Sequence, residues 1–473
     1  MKKIIQLIIF LCLTGQLTGH PWKPSHYVVI DTDCGIDDMR AISMLLASPD
    51  VRILAITVSG GALDPETAYL KIRSLLDHYH HQGIPVGINR AVNGVNLPLP
   101  SAYKWGDESG IEVPESDNFI EVITYVLDHE STNISFISLG SLNTIYDFLG
   151  SAPEYESRIS RIIWSNGSLN PTEGFNYEID TESANEIIKG EISLNVVGPP
   201  SNYQLYSRDF IDRISEIKTR YAQVISSSFN KTDNEKHEFL REGADDLVPL
   251  FLHYPGLFLT DTLGAHSLST PGQQHEIRIF LEIILRGETV NQNQVIKSFP
   301  VDTSFYMPDV QFFMNDIIDR HGLPEWNSGI LANELHRHLG VYSIIGVKMG
   351  ILAREYFHIG VDEMSVVSFA GSTPPLSCMN DGLQVSTGAT SGHGLLKVID
   401  GNCRPAAEFH YHERKIIVTL NDEISDLVAG ELKEINFVYG LDTNIYWELV
   451  RKKAILYWKN LSRYNIFDLV ETE

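Results

Sequence analysis

The sequence predicts an α/β protein: a mainly parallel, Rossmann-like sheet with flanking helices, followed by a smaller α+β domain. Three observations carry this. Apolar runs of strand length (residues 27–30, 51–58 and 134–139) alternate with segments whose apolar residues repeat at helical spacing, as strand–helix units of a parallel sheet do. The chain has 473 residues, more than one ordinary core accommodates, so two domains are expected. Periodicity breaks near residues 321–329, where proline, asparagine and glycines gather, and a boundary is expected there.

In chain order, residues 1–20 are not fold. Lys2-Lys3, the apolar run Ile4 to Leu13 and the small and polar residues up to Gly19 read as a secretory signal peptide, so a periplasmic or extracellular protein is expected. The run is too short to span a bilayer, and no later run is long enough, so no membrane span is expected. The next apolar run, Tyr27 to Ile30, reads as a buried strand. Asp31, Asp33, Asp37 and Asp38 follow it, and then Ala41, Ile42, Leu45 and Leu46 repeat helically until Ser48-Pro49. The acids therefore lie at the carboxyl end of a strand, where open α/β sheets bind ligands. Asp37 and Asp38 fall in a helix's first turn, where the macrodipole offsets only about 0.3–1 kcal/mol of repulsion each. Acids this crowded point to a bound cation, and oxygen-only ligands suit calcium or magnesium.

Further strands are expected at 51–58, 134–139, 161–164 and 194–197, with helices at 64–81, 142–149 and 181–189. The formal charge of −25 excludes nucleic-acid polymers and anionic membrane surfaces as partners, because both need basic patches. A neutral small molecule stays open as ligand, and so does a homo-oligomer. Cys34, Cys378 and Cys403 remain beyond the leader, an odd count that argues against a disulfide framework.

The run Asp31-Thr32-Asp33-Cys34-Gly35-Ile36-Asp37-Asp38 resembles the D-x-D-P-G-x-D-D motif of the inosine-uridine nucleoside hydrolase family, with Cys34 where the family usually has proline. Leu139-Gly140-Ser141-Leu142-Asn143 resembles its T-G-P-L-T-N segment. The run Gly174-Phe175-Asn176-Tyr177-Glu178-Ile179-Asp180 resembles its A-E-F-N-I-x-x-D, and Ala244-Asp245-Asp246-Leu247 with the later Pro255-Gly256-Leu257-Phe258 resembles H-D-P-x-A-V-A…P-x-L-F. The resemblance implies a nucleoside hydrolase-like domain over 24–322 that acts on a nucleoside or related sugar conjugate. It implies Ca2+ held by Asp33, Asp38, Asp245 and the Leu139 carbonyl, with Asp33 as general base and Asp37 and Asn176 on the sugar hydroxyls. Three positions depart from the family: Gly61 replaces an asparagine, Gly174 a glutamate and Ala244 a histidine associated with the leaving base. Each lost hydrogen-bonding group costs about 1–3 kcal/mol for the group it matched. Ordinary ribonucleosides are then not the expected preferred substrate, and a protein that binds nucleoside or sugar without cleaving it is the alternative. A third reading takes Asp31 as the nucleophile of a haloacid-dehalogenase-type phosphatase, but Gly35 stands where that family has threonine or valine.

Residues 330–473 have their own signature. Leu335-His336-Arg337-His338-Leu339-Gly340 is expected to open an apolar helix carrying Gly346 and Gly350. With the later Pro374-Pro375-Leu376-Ser377-Cys378-Met379-Asn380-Asp381-Gly382, it resembles the FmdE-like family, although Gly340-Val341 replaces a Cys-Pro pair found in many members. His336, His338 and Cys378 form a candidate nitrogen and sulfur site for Zn2+ or another transition metal. Against it, two residues apart on a helix do not share a face. His393, His410 and His412 are read as surface residues, and the basic amphipathic tail 446–461 as a helix packed on one of the two domains.

Overall fold

A computed structural model describes residues 24–95, 103–200, 203–230, 243–263, 266–288, 296 and 299–472; the expected leader lies outside them. The first domain is built on eight strands: β1 (His26–Thr32), β2 (Val51–Val58), β3 (Val86–Ile88), β4 (Ile134–Ser138), β5 (Ile159–Ser165), β6 (Leu194–Val197), β7 (Phe258–Leu263) and β8 (His266–Pro271). Their order is β3-β2-β1-β4-β5-β6-β8-β7, parallel except for the antiparallel β7–β8 edge pair. Val28, Val29 and Ile30 are all fully buried, because helices cover both sheet faces. That is why β1 reads as an unbroken apolar run rather than an alternating one.

The chain leaves β1 towards β2 and β3 on one side and returns on the other as β4, with Asp31 paired to Ser138. Between β1 and β4 the connections diverge, which makes the crevice beyond their carboxyl ends the expected ligand position. Helices α1 (Ile36–Ala47), α2 (Pro65–His78), α3 (Phe119–His129) and α4 (Asn143–Ser151) follow the first four strands. Then come α5 (Phe175–Ile179), α6 (Thr181–Lys189), α7 (Arg208–Ser215), α8 (Arg220–Asn230), α9 (Leu247–His253) and α10 (Gln274–Leu285). Helix α1 is buried continuously from Asp38 to Ala47, packed against α8, α9 and α10.

The second domain packs α11 (Met314–His321), α12 (Leu323–His336), α13 (Val341–Phe357), α14 (Met379–Thr387), α15 (Asp422–Tyr439) and α16 (Asn444–Asn460) around a smaller sheet. That sheet comprises β9 (Ser365–Ser368), β10 (Leu396–Val398), β11 (Ala406–Tyr411), β12 (Arg414–Leu420) and β13 (Phe467–Thr472), in the order β10-β9-β11-β12-β13. Residues 321–329 are helical rather than a loop: α11 ends at Gly322, and Pro324 sits in the first turn of α12, where its missing N–H leaves no bond unmade. A Cβ at Gly346 would lie 2.2 Å from the Met379 carbonyl, so this glycine lets α13 and α14 touch. The tail helix α16 packs on the second domain, where Trp458 stacks on Trp326 at 5.0 Å.

Candidate active site

The end of β1 sorts its acids by environment. Asp31 still belongs to the sheet. Its two oxygens accept hydroxyl bonds from Thr57 (2.7 Å) and Ser59 (2.8 Å), and burial pushes its pKa up to about 7. Asp31 is fully buried and each of its oxygens accepts a hydroxyl bond, a setting that suits a sheet contact better than the nucleophile of the phosphatase reading. Asp33 is different. It is 2% exposed; its Oδ1 accepts the Gly35 N–H at 3.3 Å, while its buried Oδ2 has no partner. Burial raises its pKa to about 6, and the nearby Asp37 charge adds to this.

Asp37 and Asp38 open α1, and Asp245 sits just before α9, more than 200 residues away in sequence. The ligand oxygens of these three nevertheless lie within 4.8 Å of one another. Asp38 also accepts a 2.6 Å bond from the Thr32 hydroxyl. Burial pushes Asp38 and Asp245 well above the usual carboxylate range, with neighbouring aspartates as further causes. Among the described residues, none of Asp33, Asp37, Asp38 and Asp245 is ion-paired. Asp37 is the half-exposed member and marks the open side.

The other two expected residues meet each other. Asn176, at the start of α5, donates its amide to the Leu139 carbonyl (2.7 Å) and to the Ser165 carbonyl (2.8 Å), and its buried Oδ1 has no partner. The Leu139 carbonyl therefore has one lone pair engaged and one left.

Two of the family departures, Gly61 and Gly174, sit where a side chain would collide with its surroundings. A Cβ at Gly61 would fall 2.0 Å from Asp33 Oδ2 and 2.6 Å from Asp33 Cβ, so a side chain at 61 and this position of Asp33 exclude each other. Gly174 has φ +116°, and a Cβ there would lie 2.4 Å from the Asn166 carbonyl. Cys34 has φ +61° and donates its N–H to the Thr32 hydroxyl at 2.9 Å; proline could do neither.

Sequence reasoning missed the support behind these acids. Arg40, three positions after Asp37, makes a buried ion pair with Asp246 at 2.9 Å, and the Tyr206 hydroxyl donates to the same carboxylate at 2.8 Å. Adjacent Asp245 and Asp246 thus divide their roles, one in the acid cluster and one holding α1. The doubled aspartate was visible, but nothing in the spacing pointed to Arg40 or Tyr206.

In the second domain His336 ends α12, and Arg337 adopts a left-handed conformation (φ +67°) that turns the chain. The single helix expected across this segment is therefore two. The turn brings the His336 and His338 rings to 4.1 Å, which one helix would not allow. His336 Nδ1 lies 2.6 Å from the Asp381 carboxylate, and its buried Nε2 has no partner. Cys378 does not complete a set with these two histidines: their ligand atoms do not gather within 4.8 Å, and burial with the Asp381 charge pushes its thiol up to about 11. His410 pairs with Glu408 and His393 with Asp362.

Residues 28–308 match the model of the inosine-uridine preferring nucleoside hydrolase family, and residues 335–437 match that of FmdE, from the molybdenum formylmethanofuran dehydrogenase operon. The pyrimidine-specific ribonucleoside hydrolase RihA of Salmonella typhi is 26% identical over 253 residues, covering 49% of this chain and 81% of the relative. The RihA of Salmonella choleraesuis is 27% identical over 232 residues, covering 45% and 74%. Among solved structures, an inosine-uridine preferring nucleoside hydrolase from Bacillus anthracis aligns at TM-score 0.46 and 14% identity, over 55% of this chain and 99% of that one. A plant nucleoside hydrolase aligns at 0.45 and 19%, over 56% and 99%. With well over half its length matched by the family model, this chain is a member of the inosine-uridine preferring nucleoside hydrolase family, and it carries an FmdE domain behind the hydrolase domain.

Proposed function

We propose that this protein is an exported, calcium-dependent hydrolase that cleaves the N-glycosidic bond of a nucleoside or a related sugar conjugate. The observation that carries the reading is the convergence of Asp37, Asp38 and Asp245 within 4.8 Å, beside an Asp33 oxygen that is buried and unpartnered. Carboxylates buried without a cation are costly, and an all-oxygen donor set fits a hard divalent ion. The residues present therefore fit calcium: Asp38 and Asp245 are in the gathered group together with Asp37, and the proposal adds Asp33, which lies outside that group, and the free lone pair of the Leu139 carbonyl as further ligands. When bound, the ion supplies Lewis acidity that makes a coordinated water easier to deprotonate.

The chain's own residues do the rest. Asp33 takes the water's proton as general base. Asp37 and Asn176 hold the sugar hydroxyls, with Asp37 facing the open side. The surrounding carboxylates favour the positive charge that develops on the sugar as the glycosidic bond breaks. Ala244 brings no proton donor to the departing base, so substrates whose leaving group departs without that help are favoured. The Salmonella relatives are named for pyrimidine nucleosides, which makes uridine and cytidine the first substrates to assay. The export half of the proposal rests on the leader-like residues 1–20.

A panel of nucleosides and sugar conjugates, assayed with calcium, after chelation and after calcium is restored, tests this. Turnover that disappears on chelation and returns with calcium supports the reading; turnover that survives thorough chelation rejects it. The non-cleaving alternative draws on Gly174 and Ala244, and calorimetry showing nucleoside binding without release of base would establish it.

A further inference from the structure

The amino end of the same sheet holds a second gathering of metal-ligating groups. His26 is the first residue of β1, Asp50 directly precedes β2, and His253 closes α9. Their ligand atoms lie within 4.8 Å of one another, and all three residues are half-exposed. β1 runs seven residues from His26 to Thr32, roughly 20 Å at strand rise, so this cluster is separate from the acids at the carboxyl end. The two imidazoles meet edge to face at 5.1 Å and 85°. The backbone fixes the third group, since Ser25 N–H donates to the Asp50 carboxylate at 2.8 Å and His26 N–H to the Asp50 carbonyl at 3.2 Å.

Two features separate this cluster from an ordinary packing contact. His253 Nε2 is buried and has no hydrogen-bond partner, an expense that a native fold normally avoids. The Asp50 carboxylate, held in place by the Ser25 N–H, also brings a third ligand atom within 4.8 Å of the two imidazole nitrogens. Two neutral nitrogens and one carboxylate suit a borderline ion of the zinc class, not the hard cation expected of the all-oxygen site. Partial exposure gives an entry path.

We propose that His26, Asp50 and His253 form a second divalent-metal site, of zinc type, which fastens the start of β1, the entrance of β2 and the end of α9 to one another. α9 then joins two centres: Asp245 lies just before its first turn and His253 at its last residue. Metal at the amino end would anchor the helix whose other end positions the acid cluster.

The test uses the full chain loaded with calcium, so that the acid cluster is filled, and titrates it with zinc chloride by calorimetry and by melting midpoint. The wild type is expected to bind zinc and to melt a few degrees higher with it. His26→Gln and His253→Gln are each expected to weaken this binding by about tenfold or more and to remove the shift, while His275→Gln, at an exposed position on α10, keeps both. Should His253→Gln fail to fold by circular dichroism, His26→Gln and Asp50→Asn carry the comparison. Equal zinc affinity and equal melting shift in wild type and these variants would overturn the site. So would no zinc binding by the wild type below about 0.1 mM, which would leave the histidine pair as packing alone.

Discussion

Two groups of buried charges in this molecule are built on opposite plans. At the carboxyl end of β1, Asp33, Asp37, Asp38 and Asp245 crowd together with no ion-paired cation among the described residues. In the second domain and where it meets the first, the buried Glu325 and the largely buried Glu355 have two each. Glu325 faces Lys348 at 2.5 Å and Arg463 at 3.0 Å, and Glu355 takes a two-point contact from Arg463 (2.7 and 2.8 Å) as well as Arg220 from α8. The Tyr464 hydroxyl donates to Glu355 at 2.9 Å, and Lys348 reaches the Trp458 carbonyl at 3.1 Å. The pKa shifts follow the plan: Glu355 is held well below the usual carboxylate range by its arginines despite burial, whereas Asp33, Asp38 and Asp245 are pushed up. The interface network satisfies itself and serves structure. The acid cluster has no such cationic side chain among the described residues, and the proposed calcium site draws on that difference.

The sharpest way to separate the two is to remove one carboxylate from each. Asp33→Asn keeps the shape of the side chain and deletes the proposed base. Its turnover is expected to fall about 10²–10⁴-fold with the melting midpoint held or raised, because a buried unpaired charge has gone. Undiminished turnover would remove Asp33 from the mechanism. Glu355→Gln should do the reverse: turnover per folded molecule is kept, but stability falls by about 1–3 kcal/mol, because the partly exposed Arg220 loses its counter-charge and the buried Arg463 keeps only Glu325. Urea unfolding at neutral pH reads this directly, and an unchanged midpoint would show that the network contributes nothing net.

The same contrast predicts opposite pH slopes. Asp33 has a folded pKa raised above its unfolded value, so the fold binds protons more tightly than the unfolded chain does. Its contribution is present below about pH 4 and is lost as pH rises through about 6. Glu355, depressed in the fold, contributes above about pH 4.5 and loses that contribution as pH falls. Melting curves of the chelated protein from pH 4 to 7 should therefore decline on the alkaline side, and added calcium should flatten that decline. A decline that persists unchanged with calcium would detach it from the acid cluster.

How far the sequence reaches follows from which contacts are local. β1, its acids and α1 are legible because a strand buried on both faces leaves an unbroken apolar run and the acids follow within the next turn. Short or edge elements leave no such trace: β3 is three residues long, and the β7–β8 hairpin lies on the sheet margin. The Arg40–Asp246 pair spans 206 positions, and no spacing rule announces it. Gly61 and Gly174 read as lost hydrogen-bonding groups, whereas the structure adds that a side chain at either would collide with its surroundings. At His336, a single left-handed residue turned an expected helix into a corner, which periodicity alone cannot foresee.

The smallest effect tests the comparison within a single strand end. Asp31 and Asp33 are two residues apart and both buried, yet only Asp31 has both oxygens occupied, by Thr57 and Ser59. Asp31→Asn replaces one acceptor with a donor, so one of these hydroxyls must reorient or lose its partner. A stability loss of about 1–2 kcal/mol is expected, with turnover per folded molecule within a few-fold of wild type. If turnover instead collapsed as far as in Asp33→Asn while the fold survived, Asp31 would belong to the chemistry, and its hydroxyl partners would be tuning a reacting group rather than closing a sheet.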